Sequence, residues 1–129
     1  MTETLSGTFE YPDGSTYVGE YIRNESNEIL KHGSGLYKSN SFTFEGEFDN
    51  DLHINGTLSF SSGCVYQGQF DNGKYSGTGI MTWPSGACYS GVWFDGQPHG
   101  EGTFTSAEKT EFVGHFHKGT GPGLFHAVQ

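Results

Sequence analysis

Apolar and polar positions alternate with a period of two in short runs along this chain. Tyr17, Gly19 and Tyr21 fall on one face of such a run and Val18, Glu20 and Ile22 on the other. Tyr66, Gly68 and Phe70 likewise oppose Gln67, Gln69 and Asp71, and Gly79, Met81 and Trp83 oppose Ile80, Thr82 and Pro84. Period two is the signature of a strand with one apolar face. Asp13-Gly14, Ser62-Gly63, Asn72-Gly73, Ser85-Gly86 and Asp95-Gly96 punctuate the runs, and such pairs supply the positive φ that tight hairpins need. The pattern predicts an all-β chain of about eleven short strands in one antiparallel meander, with no helix. At a spacing of about 4.8 Å per strand, the sheet would extend about 50 Å.

The runs also repeat. Tyr17-Val18-Gly19-Glu20-Tyr21 is followed by Phe44-Glu45-Gly46-Glu47-Phe48, Tyr66-Gln67-Gly68-Gln69-Phe70, Tyr89-Ser90-Gly91-Val92-Trp93 and Phe112-Val113-Gly114-His115-Phe116. The steps between them are 27, 22, 23 and 23 residues. Between copies stands Gly-x-Gly followed by apolar positions at spacing two, as in Gly77-Thr78-Gly79-Ile80-Met81-Thr82-Trp83 and Gly100-Glu101-Gly102-Thr103-Phe104. The whole chain, 1–129, thus reads as one array: a half repeat at 7–16, then repeats starting at 17, 44, 66, 89 and 112. The first repeat holds about five extra residues between Ile22 and Lys31, read as a surface insertion or a secondary partner contact. The second lacks one residue and puts Ile54 where a glycine belongs. The fifth is short, reading Gly119-Thr120-Gly121-Pro122-Gly123; atypical end units are expected of repeat arrays.

A glycine inside a strand usually marks the close approach of another group. Here a ring from a neighbouring hairpin could lie flat on each one, burying aromatic area without a second sheet. A lone hairpin is marginal in water, so each unit leans on its neighbours, and twist would curl the sheet into a groove lined by rings.

This aromatic-x-Gly-x-aromatic unit, with its Gly-x-Gly strand and Asp/Ser-Gly turn, resembles the MORN repeat family from Gly7 to Phe125. The resemblance implies a single-layer, elongated and twisted sheet and a role as a protein-interaction module. It also implies a cytoplasmic setting in cytoskeletal, ciliary or flagellar assemblies, since small stand-alone members are associated with these. Some MORN arrays are appended to enzymes such as lipid kinases and methyltransferases, but these 129 residues leave no room for such a domain. His32, His53 and His99 fall at the family's His-before-Gly position, implying packing or turn hydrogen bonds.

Composition sharpens the picture. Glycine supplies 21 residues and Phe, Trp and Tyr 16%, while apolar residues reach only 33%; that suits a thin fold with rings packed on backbone. The net charge of −9 disfavours nucleic acid and anionic membrane surfaces and favours a partner with a basic face. The opening residues lack the basic and apolar regions of a signal peptide, and no run of about 18 apolar residues could span a membrane. The two cysteines, Cys64 and Cys88, fit a reducing compartment. They fall on different hairpins and opposite faces, which argues against a disulfide between them.

No nucleophile elbow, phosphate loop, HExxH or paired-carboxylate site is present, so an enzyme is not expected, nor a cofactor. The Gly-x-Gly pairs open strands, not helices, and are structural rather than dinucleotide fingerprints. His115, His117 and His126 share a face at spacings that could suit zinc, but no fourth ligand is placed; a solvated, pH-sensitive edge is the simpler reading, and no metal is expected. The candidate partner-binding residues are the rings Tyr17, Tyr21, Phe44, Phe48, Tyr66, Phe70, Trp83, Tyr89, Trp93, Phe112 and Phe116. They would form the core and, where exposed in the groove, receive a protein segment with apolar anchors. Basic flanks of that segment would meet acids such as Glu20, Glu45, Glu47, Asp49 and Asp71. The alternatives are a peripheral phospholipid-binding module and a structural spacer that pairs through its open sheet edges.

Overall fold

The structure, a computed structural model, describes residues 3–118. Ten strands follow one another: β1 (Leu5–Glu10), β2 (Thr16–Arg23), β3 (Ile29–Lys38), β4 (Phe42–Asp49), β5 (Leu52–Phe60), β6 (Val65–Asp71), β7 (Lys74–Thr82), β8 (Cys88–Phe94), β9 (Gln97–Thr105) and β10 (Glu111–Phe116). They form one antiparallel sheet in sequence order. No helix occurs among the described residues. The expected all-β meander is therefore the observed fold; the stretch read as an eleventh strand lies outside the described residues.

Every strand contributes one glycine to a continuous row. Gly7, Gly19, Gly35, Gly46, Gly56, Gly68, Gly79, Gly91, Gly102 and Gly114 are direct register partners from β1 to β10. On one face of the sheet the even strands place a ring two residues before this glycine and a second ring two residues after it. On the other face stand mostly polar side chains, as the burial alternation of β6 shows: Tyr66 and Phe70 are buried, whereas Gln67, Gln69 and Asp71 are exposed.

The turns are those the sequence marks. Asn72-Gly73 and Asp95-Gly96 both take positive φ (53°/83° and 54°/84°), the type I′ geometry whose twist matches a hairpin. Asn50-Asp51 makes the same turn without glycine. The surface insertion within Ile22–Lys31 lengthens the β2–β3 hairpin: Ile22 pairs with Leu30 and Arg23 with Ile29, and Glu25, Ser26, Asn27 and Glu28 stand exposed in its turn. Its turn is tied by Asn24, whose side-chain oxygen accepts from the backbone N–H groups of Ser26 and Glu28 (2.9 Å each).

The odd strands after β1 bulge. From Gly68 to Phe70, β6 advances two residues while β7 advances four, from Gly79 back to Tyr75; Gly91–Trp93 against β9 and Gly19–Tyr21 against β3 do the same. The additional residues include the first glycine of each Gly-x-Gly. Gly33, Gly77 and Gly100 take φ of 101°, 67° and 110°, a region that disfavours a side chain. At two of these bulges the amide after the glycine finds a side-chain acceptor: Ser34 N–H donates to Glu20 Oε1 (2.7 Å) and Thr78 N–H to Gln69 Oε1 (2.8 Å). β5 has one residue fewer here, so its irregularity is a single extra residue, Ile54.

Candidate functional site

The glycine row exists because rings lie on it. The Tyr17, Tyr66 and Tyr89 rings extend along their strands over their own glycine and the glycine of the next strand; a Cβ on Gly35, Gly79 or Gly102 would collide with them. The ring thus belongs to the same hairpin as the glycine it covers, not to a neighbouring hairpin as the sequence suggested. Its hydroxyl reaches past the glycine to the carbonyl three residues on: Tyr17 donates to Glu20, Tyr66 to Gln69 (2.7 Å) and Tyr89 to Val92 (2.9 Å). Those acceptors border the bulges, where the ladder is interrupted. Burial pushes the Tyr17, Tyr66 and Tyr89 hydroxyls up to about 12.

A second residue covers the other side of each ring. His53 stacks on Phe44 (ring centroids 4.0 Å, 10°) and Tyr75 on Tyr66 (4.2 Å, 25°). The Lys31 ammonium stands 5.8 Å from the Tyr17 ring centre, and Pro98, at the same register position, is fully buried. These four residues are partners of Tyr21, Phe48, Phe70 and Trp93 across the bulge. His53 therefore does not occupy the His-before-Gly position the sequence assigned it; the residue missing from β5 moves it into the covering position. His32 and His99 do hold that position. Their Nδ1 atoms accept from the backbone N–H of Asn50 and Lys118 (3.3 Å each), tying one hairpin to the turn of the next.

Edge-to-face contacts close the remaining sides. An unbroken series runs Tyr17–Phe48–Phe44–Phe70–Tyr66–Trp93–Tyr89–Phe116, with centroid separations of 4.9–5.7 Å and interplanar angles of 74–89°. Each such pair contributes about 0.5–1.5 kcal/mol beyond its buried area. Trp93 also donates its Nε1 hydrogen to the Gly79 carbonyl (3.0 Å). All eight rings of the series are buried.

Of the eleven rings singled out in the sequence, then, Tyr17, Phe44, Phe48, Tyr66, Phe70, Tyr89, Trp93 and Phe116 form the interior. Tyr21, Trp83 and Phe112 remain partly exposed. Tyr21 leans back to Phe9 and Gly7. Trp83 and Phe112 belong to a second row nearer the opposite turns. Tyr11, Tyr37, Phe42 and Phe60 follow one another at 5.5–6.5 Å, and Trp83, Phe104 and Phe112 at 6.2 Å. Every ring of this row is only half-buried. Its middle opens into a cavity of about 300 Å³ lined by Phe42, Phe60, His53, Leu58 and Tyr75. The available signal was alternation: Phe42 stands two residues before Phe44, and Phe60 two residues after Leu58, the register partner of Phe44.

The acids take other places than the ring side. Glu45, Glu47, Asp49 and Asp71 are exposed on the opposite, polar face, and Glu20 is occupied by the Ser34 amide. On that face a trough of about 590 Å³ lies between Gln67, Gln69, Thr78, Ile80 and Ser90. His115 and His117 are exposed there, with the His99 ring centred 6.4 and 5.0 Å from theirs; His126 lies outside the described residues. Among the described residues no group of three or more His, Cys, Asp or Glu is placed to hold a metal ion. Cys64 and Cys88 are free thiols, and no helix of the described residues is long and apolar enough to cross a membrane.

No curated protein matches the chain significantly. The MORN repeat profile matches residues 6–16, 44–65, 66–88 and 89–110, together more than half of the sequence. Repeats of this kind are known in protein-binding and membrane-binding roles and are generally non-catalytic. With an unbroken glycine row under a ladder of rings, and with four matched stretches along it, the chain belongs to the MORN repeat family.

Proposed function

We propose that the chain is a non-catalytic scaffold that holds a protein segment along the half-buried row Tyr11–Tyr37–Phe42–Phe60 and its continuation through Trp83 and Phe104. The observation that carries this reading is the contiguity of Tyr11, Tyr37, Phe42 and Phe60. The ladder rings are enclosed and serve the fold, whereas these rings keep apolar surface in reach of solvent side by side. Contiguous apolar surface on a soluble domain marks contact sites, and Tyr and Trp are the residues that most often anchor them. A net charge of −9 favours basic flanks on the bound segment. A cytoplasmic, cytoskeletal or ciliary assembly is the setting proposed from the family resemblance.

The test starts from an affinity pull-down out of the native cell, with mass spectrometry, and continues with the purified partner. Surface plasmon resonance should show Phe42→Ala with Phe60→Ala raising the dissociation rate at least tenfold while the circular dichroism spectrum stays that of wild type. Undiminished binding by this variant would reject the row as the docking surface. Salt-sensitive co-sedimentation with phosphatidylserine or phosphoinositide vesicles would instead support the membrane role.

A further inference from the structure

The glycine row reaches the outer edge of the sheet at Gly7, and among the described residues no strand pairs with that side of β1. The edge lacks the usual protections: Leu5–Glu10 contains no lysine, no proline and no bulge, the devices that normally blunt an edge. Its sequence is also close to a palindrome. Around Gly7 stand two hydroxyl residues, Ser6 and Thr8, and beyond them two apolar ones, Leu5 and Phe9. The hydrogen bond from Tyr11 N–H to the Ser15 carbonyl (2.9 Å) fixes the alternation along the strand. Tyr11, Phe9, Gly7 and Leu5 turn their backbone groups toward β2, and Glu10, Thr8 and Ser6 turn theirs outward.

We propose that β1 is a self-pairing edge, at which two copies of the chain join β1 to β1 antiparallel about a two-fold axis at Gly7. In that register Ser6 of each copy meets Thr8 of the other as a fully hydrogen-bonded pair, since both turn their backbone groups outward. Gly7 meets Gly7, extending the established glycine row without a break. Leu5 falls opposite Phe9, an apolar pair on the ring face. There Phe9 already lies edge-on to Tyr21 (4.9 Å) and stacked 6.4 Å from Tyr17, so Leu5 of the other copy covers the open end of the aromatic face. Glu10 falls opposite Thr4, so no like charges meet across the seam. A self-complementary patch of this kind closes as a two-fold dimer rather than growing into a fibre.

Sedimentation equilibrium of the full chain should show a weight-average mass rising with concentration from 14.1 kDa toward twice that value. Thr8→Pro removes an outward N–H from an edge strand, where proline is tolerated; it should leave the melting temperature unchanged and hold the chain monomeric. The register is tested independently in chains with Cys64→Ser and Cys88→Ser. Mixing a Leu5→Cys chain with a Phe9→Cys chain should give the mixed disulfide at least tenfold faster than either forms its own, because Leu5 faces Phe9 and lies far from the other Leu5. A chain that stays monomeric up to millimolar concentration overturns the proposal. So does a dimer that survives Thr8→Pro, or equal rates for all three disulfides; if Thr8→Pro does not fold, the disulfide rates decide.

Discussion

Gly91 and Gly102 face each other across β8 and β9 so closely that a Cβ on Gly91 would stand 2.5 Å from the Cα of Gly102, 2.6 Å from the Glu101 carbonyl oxygen and 2.9 Å from the Tyr89 hydroxyl. Two of the three obstacles are backbone, which cannot swing aside. Gly91→Val should therefore destabilise by about 3 kcal/mol or more, at the upper end of single-site effects. Gly73→Ala makes the contrast: nothing lies within 4 Å of its Cβ position, and only its φ of 83° opposes a side chain, a cost of about 1 kcal/mol. Thermal or urea melts of the two variants check the ordering, and a Gly91→Val melt like that of wild type would remove the close approach of strands and ring as the reason for the glycine row.

The hydrogen bond from each ladder tyrosine to its bulge carbonyl gives a second prediction. Tyr66→Phe leaves the Gln69 carbonyl without that donor and should cost about 1 kcal/mol, while Phe44 shows that the ring alone fits the position. The three buried hydroxyls also set the alkaline limit. Their folded pKa values stand near 12 against 10 in the unfolded chain. The unfolded chain therefore releases protons first, and the stability they contribute is whole below pH 10 and falls as pH rises from 10 toward 12. Denaturant midpoints measured across that range should decline, and Tyr66→Phe with Tyr89→Phe should flatten the decline.

At the acid end the same linkage runs through His53. Burial among Phe44, Phe48 and Phe70, and next the Lys31 charge, push its pKa below 6.5. The unfolded chain then takes the proton more readily, and stability falls as pH drops below 6.5. His53→Tyr puts the residue of the equivalent Tyr75 position there and should remove this histidine's part of the loss. The check is a comparison of melts at pH 7 and pH 5; an unchanged difference between the two pH values would clear His53 of responsibility.

Much of this was legible in advance, and for a physical reason: strand period, glycine spacing and turn dipeptides are local, and a repeat states each of them several times. The turns at Asn72-Gly73 and Asp95-Gly96 and the common face of Tyr66, Gly68 and Phe70 followed directly. Exposure was not legible, because it depends on what the bulges bring over the rings. Trp93 sits at the alternation expected of a groove residue, yet it is 2% exposed, with Pro98 paired to it across two added residues of β9. His53 was misplaced for the related reason that one missing residue in β5 changes which side chain covers the ring.

That difference in exposure predicts how the two tryptophans separate. Trp93→Ala empties a site bounded by Tyr66, Tyr75 and Tyr89 and takes the indole donor from the Gly79 carbonyl, so it should cost about 3–5 kcal/mol. Trp83 touches the ladder from the half-buried row and should cost less than half as much. Chemical denaturation of both variants at one temperature decides this, and equal losses would mean that the row is as much core as the ladder.

Rings and charges should also separate in binding kinetics, because they stand on opposite faces. Truncating half-buried rings removes apolar contact formed only in the complex, so the change should appear in the dissociation rate and be indifferent to salt. Glu45 and Glu47 point away from the rings and are in reach of a partner's basic flanks only as those wrap the sheet. Glu45→Lys with Glu47→Lys should then slow association a fewfold, with the salt dependence flattened and the dissociation rate held within about twofold of wild type. The measurement is surface plasmon resonance against the pulled-down partner at several salt concentrations. If the charge reversal abolishes binding while Phe42→Ala with Phe60→Ala leaves it intact, the partner lies on the polar face, over the glycine row and the trough beside Gln67 and Thr78, and the aromatic row serves the fold alone.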